Sequence, residues 1–439
     1  MKNPGYKTVS GFVMLKRTFR AFRSPLPVFY QNVADYGNPY AIKILKNQLA
    51  IFTSRPEIIQ HVLQKNHRGY EKSDIQTKQV ADFLGRGLLT LEGKEWLRQR
   101  RLIQPGFHKE KIEGIRSIME ETVDDYLQRF SKNYSGKTVN IHEEMMSLAF
   151  YIVSNSLLGT KISDRDIHVM RYGVDIAQTL VVKLIRLPFF AWYYKANGSY
   201  RRAKNAVGHA QDMIMSFVQK RKDEGGEHND LLDMLIHSKY EDTGETMTDK
   251  QLLFELMVMF VAGHETSANA LTWTLYLLAR NKDILNKLRS EVDKENSNYL
   301  RQVIQESMRL YPPAWITDRV ALEDDEVSGI FIPKGAMVIN LIYAVQHDAE
   351  YWPNPEMFDP DRFHPDKVIK PYTYLPFGGG PRLCIGMQFA MMEMEIALKE
   401  FIKRFDFEMA DNRPVELNPL ITLNPKGAVN LKVRALHTN

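Results

Sequence analysis

The sequence predicts a mainly α-helical protein with a minor β component, and three observations carry that expectation. Apolar residues recur at three- and four-residue spacing from Pro56 to about Leu310, the period of a helix face. Runs with β character are short and few: Tyr40 to Thr53, Val327 to Ile332 and Ala336 to Ile342. Beyond Tyr311, proline-rich turns replace the helical period, and Tyr351 to Pro381 is a long irregular stretch of prolines and aromatics. A chain of 439 residues, 44% hydrophobic and 25% charged, can close a large core at an ordinary globular composition. No repeat, low-complexity tract or linker divides it. A single domain over residues 1–439 is therefore expected, with a β-richer N-terminal lobe drawn from about 38–70 and 318–345 and a helical remainder.

In chain order, Val9 to Tyr36 reads as a helix broken at Pro25 and Pro27 and ended near Gly37. The runs AIKIL and QLAIF within Tyr40 to Thr53 alternate enough for a strand pair, and the polar Asp223 to Asp230 is a loop. Thr248 followed three residues later by Gln251 has the capping-box form, and Asp249 suits the first turn. The periodic pattern then continues to about Arg280, a helix of about 30 residues and about 45 Å at 1.5 Å per residue. Leu383 to Phe405 is helical again, and Ile421 to Val433 reads as a last hairpin.

Inside the long helix lies a polar, small-residue interruption, Ala262-Gly-His-Glu-Thr-Ser267. Thr266 can return a hydrogen bond to the Ala262 carbonyl and bend the helix. A tolerated kink or a solvent-facing patch is one reading. Leu256, Met259, Phe260 and Leu271 flank it with apolar bulk, which favours a buried acid and alcohol at a weakened turn, a candidate functional site.

Composition also excludes. One cysteine rules out an internal disulfide. The N-terminus to Phe22 has only the short apolar stretch Gly11 to Leu15 and no small-residue cleavage site, so it is no secretory signal. No segment approaches about 20 apolar residues, the length of a membrane span, and Leu252 to Gly263 is interrupted by Glu255. A soluble, cytoplasmic protein is expected. The net charge of +5 is a modest excess with no basic stripe or motif, which argues against nucleic acid. The densest basic cluster, Lys94, Arg98, Arg100 and Arg101, is either solvated surface or a docking face for an acidic partner.

Several features coincide around Cys384. Gly378 to Gly380 permit a tight loop with close backbone approach. Cys384 lies just ahead of a helix starting near Met387, whose free N–H groups and dipole stabilise a thiolate. Arg382 offers a fixed cation to a carboxylate. An isolated cysteine is most often a small buried hydrophobe. A zinc or iron–sulfur site needs further ligands that no histidine or cysteine spacing supplies. A nucleophile needs a base, and His347 and His364, the nearest in sequence, have nothing to pair them with it. A haem thiolate needs one protein ligand and cations for two propionates, and fits best.

The stretch from Phe377 to Gly386 resembles the haem-binding pattern Phe-Gly-x-Gly-x-Arg-x-Cys-x-Gly of the cytochrome P450 family, at Phe377, Gly378, Gly380, Arg382, Cys384 and Gly386. Three further motifs follow in the family's order, so the resemblance spans essentially the whole chain. It implies the family's helix-rich triangular prism, with haem b (iron protoporphyrin IX) between the long oxygen-groove helix and the Cys384 loop and helix. Cys384 becomes the axial ligand of the iron, with Phe377, Gly378 and Arg382 around the cofactor. Glu306-Ser-Met-Arg309 is similar to the family's Glu-x-x-Arg, and Arg362 in Phe358-Asp-Pro-Asp-Arg-Phe363 completes a Glu–Arg–Arg network that supports the haem site. A surface ion pair is the plainer reading of such spacing. Ala262 to Thr266 is similar to the oxygen-binding groove Ala/Gly-Gly-x-Asp/Glu-Thr. Ala262 and Gly263 then lie beside dioxygen, and Glu265 and Thr266 relay protons to it. His264, at the variable position, is a pocket-edge or core histidine without a role. Trp96 and Arg100 match a Trp-x-x-x-Arg pattern that contacts a propionate, and Arg319 sits where many members place another propionate arginine; surface residues are the alternative. One departure stands out: Glu291 to Tyr299 passes almost directly into Leu300, where members have a longer connection.

The resemblance implies a monooxygenase that puts one atom of dioxygen into an unactivated C–H bond of a small, lipophilic molecule, by hydroxylation or O-demethylation. No fused reductase is expected, so electrons are expected from NAD(P)H indirectly, through a separate ferredoxin or flavodoxin and its reductase, with Lys94, Arg98 and Arg101 as the docking face of a monomer. The substrate pocket is expected to draw on Ser73 to Leu89, Gln178 to Tyr194, Pro313 to Thr317 and Leu420 to Leu423. Ile185, Phe189, Phe190, Trp192 and Tyr193 suit a lipophilic substrate, Arg186, Lys195, Arg201 and Arg202 a carboxylate at the mouth, and Trp315 crowding of the haem. The motifs look most like those of the long-chain fatty-acid-hydroxylating branch. Two rivals stay open: a peroxygenase or isomerase that does not use dioxygen, and a non-catalytic haem sensor. The acid–alcohol pair argues against both.

Overall fold

The computed structural model describes residues 4–44, 48–159, 161–186, 190–225, 228, 230–294 and 297–436. They form two compact units. The first takes the chain up to Ser73, Trp273–Cys384 and Arg413–Gly427, and the second takes Asp74–Thr272, Ile385–Asn412 and the chain from Ala428 on. The strands in chain order are β1 (Lys7–Thr8), β2 (Tyr40–Lys43), β3 (Leu49–Thr53), β4 (Tyr70–Glu71), β5 (Lys137–Asn140), β6 (Thr317–Ala321), β7 (Asp325–Val327), β8 (Ile330–Ile332), β9 (Met337–Asn340), β10 (Phe405–Met409), β11 (Leu417–Pro419), β12 (Leu423–Pro425) and β13 (Asn430–Ala435).

The first unit is built on a six-stranded sheet in the order β1-β2-β3-β9-β6-β4. Its centre is the parallel pair β3 and β9, with Ile51 opposite Val338. Alternation along these strands feeds two cores. Ile51 and Val338 pack with Ile58, Val62, Leu63 and Ile342 on one face, and Ala50, Met337 and Ile339 pack with Phe29, Phe52 and Ile316 on the other. The helix expected over Val9 to Tyr36 is two, Gly11–Arg23 and Pro25–Tyr36, separated by the extended Ser24. Pro25 and Pro27 open the second helix, where a missing N–H costs nothing, and Gly37 at φ 91° ends it.

Three β expectations change. Val327 to Ile332 is not one run: it holds the end of β7, a turn with Ser328 and Gly329 at φ 51° and 75°, the signs a tight hairpin requires, and then β8. β9 stops at Asn340, and Ile342 opens the helix Ile342–Gln346. Ile421 to Val433 is not a hairpin: β12 pairs with β11 in the first unit, whereas β13 pairs with β10 and β5 in the second.

The second unit is helical apart from that β10-β13-β5 sheet. Ile141–Leu158 is buried on nearly every face and packs against Arg116–Tyr134, which also packs against Met387–Arg404. Asp164–Arg186 runs along Ser199–Glu224, close enough that a Cβ at Gly173 would lie 2.8 Å from the Ala206 carbonyl. The long helix is Asp249–Arg280, 32 residues. The Gln251 N–H donates to Thr248 Oγ1 at 3.2 Å, but its side chain turns to the Arg86 carbonyl and Glu255, so only half of the capping box forms. The helix expected from Leu383 starts at Met387, and Phe405 already belongs to β10.

Candidate active site: the cysteine loop and the interrupted helix

The cysteine loop lies in the first unit. Gly378 and Gly380 hold φ 74° and 66°, the left-handed region that favours glycine. A Cβ on Gly380 would sit 1.9 Å from the Leu63 carbonyl oxygen, so only glycine lets the two backbones meet. A 3-10 turn over Gly380–Arg382 follows, and the Cys384 N–H donates to the Phe377 carbonyl at 3.0 Å, closing the loop. Cys384 is exposed, while Phe377, Gly378 and Arg382 are half-buried. Among the described residues no group of three histidine, cysteine, aspartate or glutamate side chains could hold a metal ion. This donor set fits an iron whose remaining ligands come from a porphyrin, with one thiolate from the protein.

The Glu306–Arg309–Arg362 set is assembled in the same unit. Arg309 is fully buried and grips Glu306 through two hydrogen bonds, Nε to Oε2 at 2.7 Å and Nη2 to Oε1 at 2.9 Å. Its other N–H groups reach the carbonyls of Gln346 at 2.8 Å and Pro355 at 2.7 Å. Arg362 approaches Glu306 at 3.3 Å, and the Asp359 N–H donates to the same carboxylate at 3.0 Å. One helical turn is thereby tied to the irregular segment before the cysteine loop. Burial pushes the Glu306 carboxyl up, and its arginine and backbone partners oppose that shift. Arg319 is on β6, half-buried, with Nη1 donating to the Asp318 carbonyl at 2.6 Å.

The acid and the alcohol lie in the second unit. Thr266 Oγ1 donates to the Ala262 carbonyl at 2.8 Å, as the four-residue spacing predicts. Glu265 is buried, and its Oε2 accepts from Gln178 Nε2 at 2.7 Å, on the helix Asp164–Arg186. Ala262 is exposed, and a Cβ on Gly263 would come within 3.1 Å of Val153, so glycine also serves helix packing there. His264 is fully buried, with Nδ1 at 2.8 Å from the Phe260 carbonyl and its ring edge-on to Phe150. Burial pushes its pKa down, so it is a neutral core histidine. Asp175, one turn before Gln178, is raised chiefly by burial and opposed by Arg171.

The sequence reading missed three groups. Gln178 is 87 residues from its partner Glu265, and no local pattern links them. Glu255 is buried and pushed up to about 7, although its Oε2 accepts the Leu88 N–H at 2.9 Å. Glu393, fully buried on Met387–Arg404, is pushed up to about 8 by burial, with Ser267 opposing. Acidic residues in the apolar stripe of a helix are the only sequence signal for the last two.

Other expected residues fare unevenly. Trp96 and Arg100 are half-buried on Gly93–Ile103, where Arg100 Nε reaches Gln104 at 3.1 Å. The docking cluster is partly spent: Arg98 grips Asp242 at 2.9 Å and lies over the Tyr240 ring, and Arg101 is 3.7 Å from Glu241. Trp315 is held in an apolar cluster with Leu26 and Leu423, its Nε1 donating to the Leu420 carbonyl at 3.1 Å. Phe190, Trp192 and Tyr193 are 49%, 68% and 47% exposed, so they do not form a buried lining. Lys195, Arg201 and Arg202 are exposed too, while Phe189 and the side chains of Ile185 and Arg186 lie outside the described residues. Glu291 ends one helix and Tyr299 begins the next, with 295–296 outside the described residues. Among the described residues no helix is long and apolar enough to cross a membrane.

The family model for cytochrome P450 matches residues 12–431. Cyclooctat-9-en-7-ol 5-monooxygenase of Streptomyces melanosporofaciens is 28% identical, over 89% of this chain and 87% of that protein. Cytokinin hydroxylase of Arabidopsis thaliana is 30% identical, over 87% of this chain and 78% of that protein. The structure of retinoic-acid-bound cyanobacterial CYP120A1 superposes with a TM-score of 0.83 at 23% identity, covering 96% of both chains, a likeness of fold. With the family model covering nearly the whole chain, the chain belongs to the cytochrome P450 family, the haem-iron monooxygenases that use dioxygen.

Proposed function

We propose that the chain works as one catalytic domain, a cytoplasmic monomer that hydroxylates or O-demethylates a small lipophilic molecule with electrons from a separate ferredoxin or flavodoxin and its NAD(P)H reductase. The observation that carries the reading is Cys384, exposed at the end of a loop that its own N–H closes onto Phe377. Haem b held by that thiolate supplies the oxidising chemistry when bound. Arg382, Arg319, Trp96 and Arg100 would partner the propionates, and Phe377, Gly378, Ala262 and Gly263 would shape the surroundings. The resemblance of the relatives named for cyclooctat-9-en-7-ol and cytokinin supports a small organic substrate.

The residues of the long helix handle protons. The Thr266 hydroxyl is parked on the Ala262 carbonyl and must turn outward to donate. Glu265, held by Gln178, is the carboxyl that resupplies it. A dioxygen-independent haem–thiolate enzyme or a sensor would leave this pair idle.

Reducing the purified protein under carbon monoxide should give the red-shifted Soret band of thiolate-ligated haem, and Cys384→Ala should abolish it. Turnover with a ferredoxin system but not with peroxide alone supports the monooxygenase reading, and the reverse would transfer the protein to the peroxygenases.

A further inference from the structure

The first unit holds a cavity of about 240 Å³ between the helix Pro25–Tyr36 and the segment from Leu341 to Ala349. It falls below the ~300–1,000 Å³ of pockets for drug-sized ligands, so it suits a small molecule. Five aromatic rings line it: Phe29 stacks on Trp315 with centroids 6.1 Å apart, Tyr30 meets Tyr343 edge-on at 6.4 Å, and His347 stacks on one face of Tyr343 at 4.0 Å, leaving the other face to an occupant.

The polar groups of the lining are one-sided. Asp348 is half-buried at the wall, and its carboxylate and that of Glu356 add to burial in raising the Tyr30 hydroxyl. His347 has Nδ1 at 2.8 Å from the Tyr343 carbonyl, and burial takes its pKa down to about 4. It is therefore neutral at physiological pH, with Nε2 left as an acceptor. Asn38 and Ser54 bond to one another, Nδ2 to Oγ at 2.8 Å and backbone N–H to Oδ1 at 3.1 Å. Among the described residues no lysine or arginine lines the cavity. Arg309 is near enough to act on Tyr343 and His347, but its guanidinium is committed to Glu306.

We propose that this cavity binds a small organic ammonium ion, its alkyl groups against the faces of Tyr30, Tyr343, Phe29 and Trp315 and its charge toward Asp348. Ring faces carry negative potential and attract a cation, and a nearby carboxylate adds to the attraction. An anionic ligand would meet Asp348 with no cation in the lining to receive it. A neutral hydrocarbon of the same shape would gain burial but neither electrostatic attraction. The Trp315 indole N–H also donates to the Leu420 carbonyl, next to the β11–β12 hairpin, so an occupant that fixes the ring also steadies that hairpin.

Calorimetric titration of the haem-loaded protein tests this, with choline as the cation and 3,3-dimethylbutan-1-ol as its uncharged isostere. Choline should bind saturably and at least tenfold more tightly than the isostere. Asp348→Asn and Tyr30→Ala should each weaken choline several-fold while leaving the carbon-monoxide band intact. Equal binding of the two probes, no binding of choline at millimolar concentration, or unchanged affinity in both variants would overturn the proposal. So would choline binding that perturbs the Soret band, which would put the cation at the haem.

Discussion

Arg309 illustrates what a single side chain can be asked to do. Its guanidinium satisfies Glu306 and three backbone carbonyls, those of Gln346, Pro355 and Met357, at once without any solvent exposure. Lysine has one point charge and cannot reproduce a planar fork. Arg309→Ala should lower unfolding stability by about 3–5 kcal/mol, because the buried Glu306 would lose its two-pronged partner and keep only Arg362 and the Asp359 N–H. Arg309→Lys should fall between the two, and denaturant melts followed by circular dichroism would rank the three proteins. The Glu-x-x-Arg spacing was legible in the sequence; the carbonyl partners were not, since a backbone oxygen has no letter. Gln178 teaches the same lesson. Gln178→Leu removes the donor at 2.7 Å from Glu265, so less product should form per NAD(P)H consumed and more peroxide released. Product, cofactor and peroxide assayed together give the ratio, and an unchanged ratio would show that the hydrogen bond plays no part in proton delivery.

Two elements carry predictions of their own. The turn at Gly380 is required by a backbone collision, so Gly380→Ala must move either the loop or Leu63. The expected result is a lower haem content at a similar expression level, read as the ratio of Soret to protein absorbance. The start of the long helix is pinned to Gly87–Leu88 by Glu255, whose carboxyl is pushed up to about 7. With the folded value above the unfolded one near 4.5, the native state binds more protons between those values, so stability falls as pH rises through that window and levels off above 7. Two and a half units correspond to about 3 kcal/mol at 1.36 kcal/mol each. Glu255→Gln keeps an acceptor for the Leu88 N–H and should flatten this part of the pH–stability curve. Melting curves from pH 4 to 8 on both proteins would show it, and two parallel curves would count against it. Helix starts and stops were largely readable because capping is local: Thr248 and Gly37 act within one turn of themselves. The Ser328-Gly329 turn was readable in principle, but a turn of two residues between β7 and β8 is short enough to be passed over within one run.

At the scale of the whole molecule, Arg98 and Arg101 are paired with Asp242 and Glu241, so the expected carrier-docking face keeps less free charge than its sequence implies. Lys94 is exposed on that helix alongside Arg98 and Arg101. Lys94→Glu should raise the Michaelis constant for an acidic ferredoxin and weaken its salt dependence, whereas Arg98→Glu should first disturb the Asp242 contact. Steady-state kinetics at two ionic strengths would separate them, and no change with Lys94→Glu would place the docking surface elsewhere. The closing strands make the same point about scale: β12 and β13, five residues apart in the chain, belong to different sheets in different units.

By itself the sequence determined the helical class, the long helix with its Thr266-to-Ala262 bond, the glycine-dependent cysteine loop and the Glu–Arg pair. Each depends on residues within a few positions of one another, where periodicity and backbone geometry are set by neighbours in the chain. Tertiary structure alone decided that Glu265 rests on Gln178, that Glu255 and Glu393 are buried, that Trp315 belongs to an apolar cluster and that two docking cations are already paired. Those outcomes follow from the packing of segments far apart in sequence, which chooses both the partner and the solvent exposure of every buried polar group.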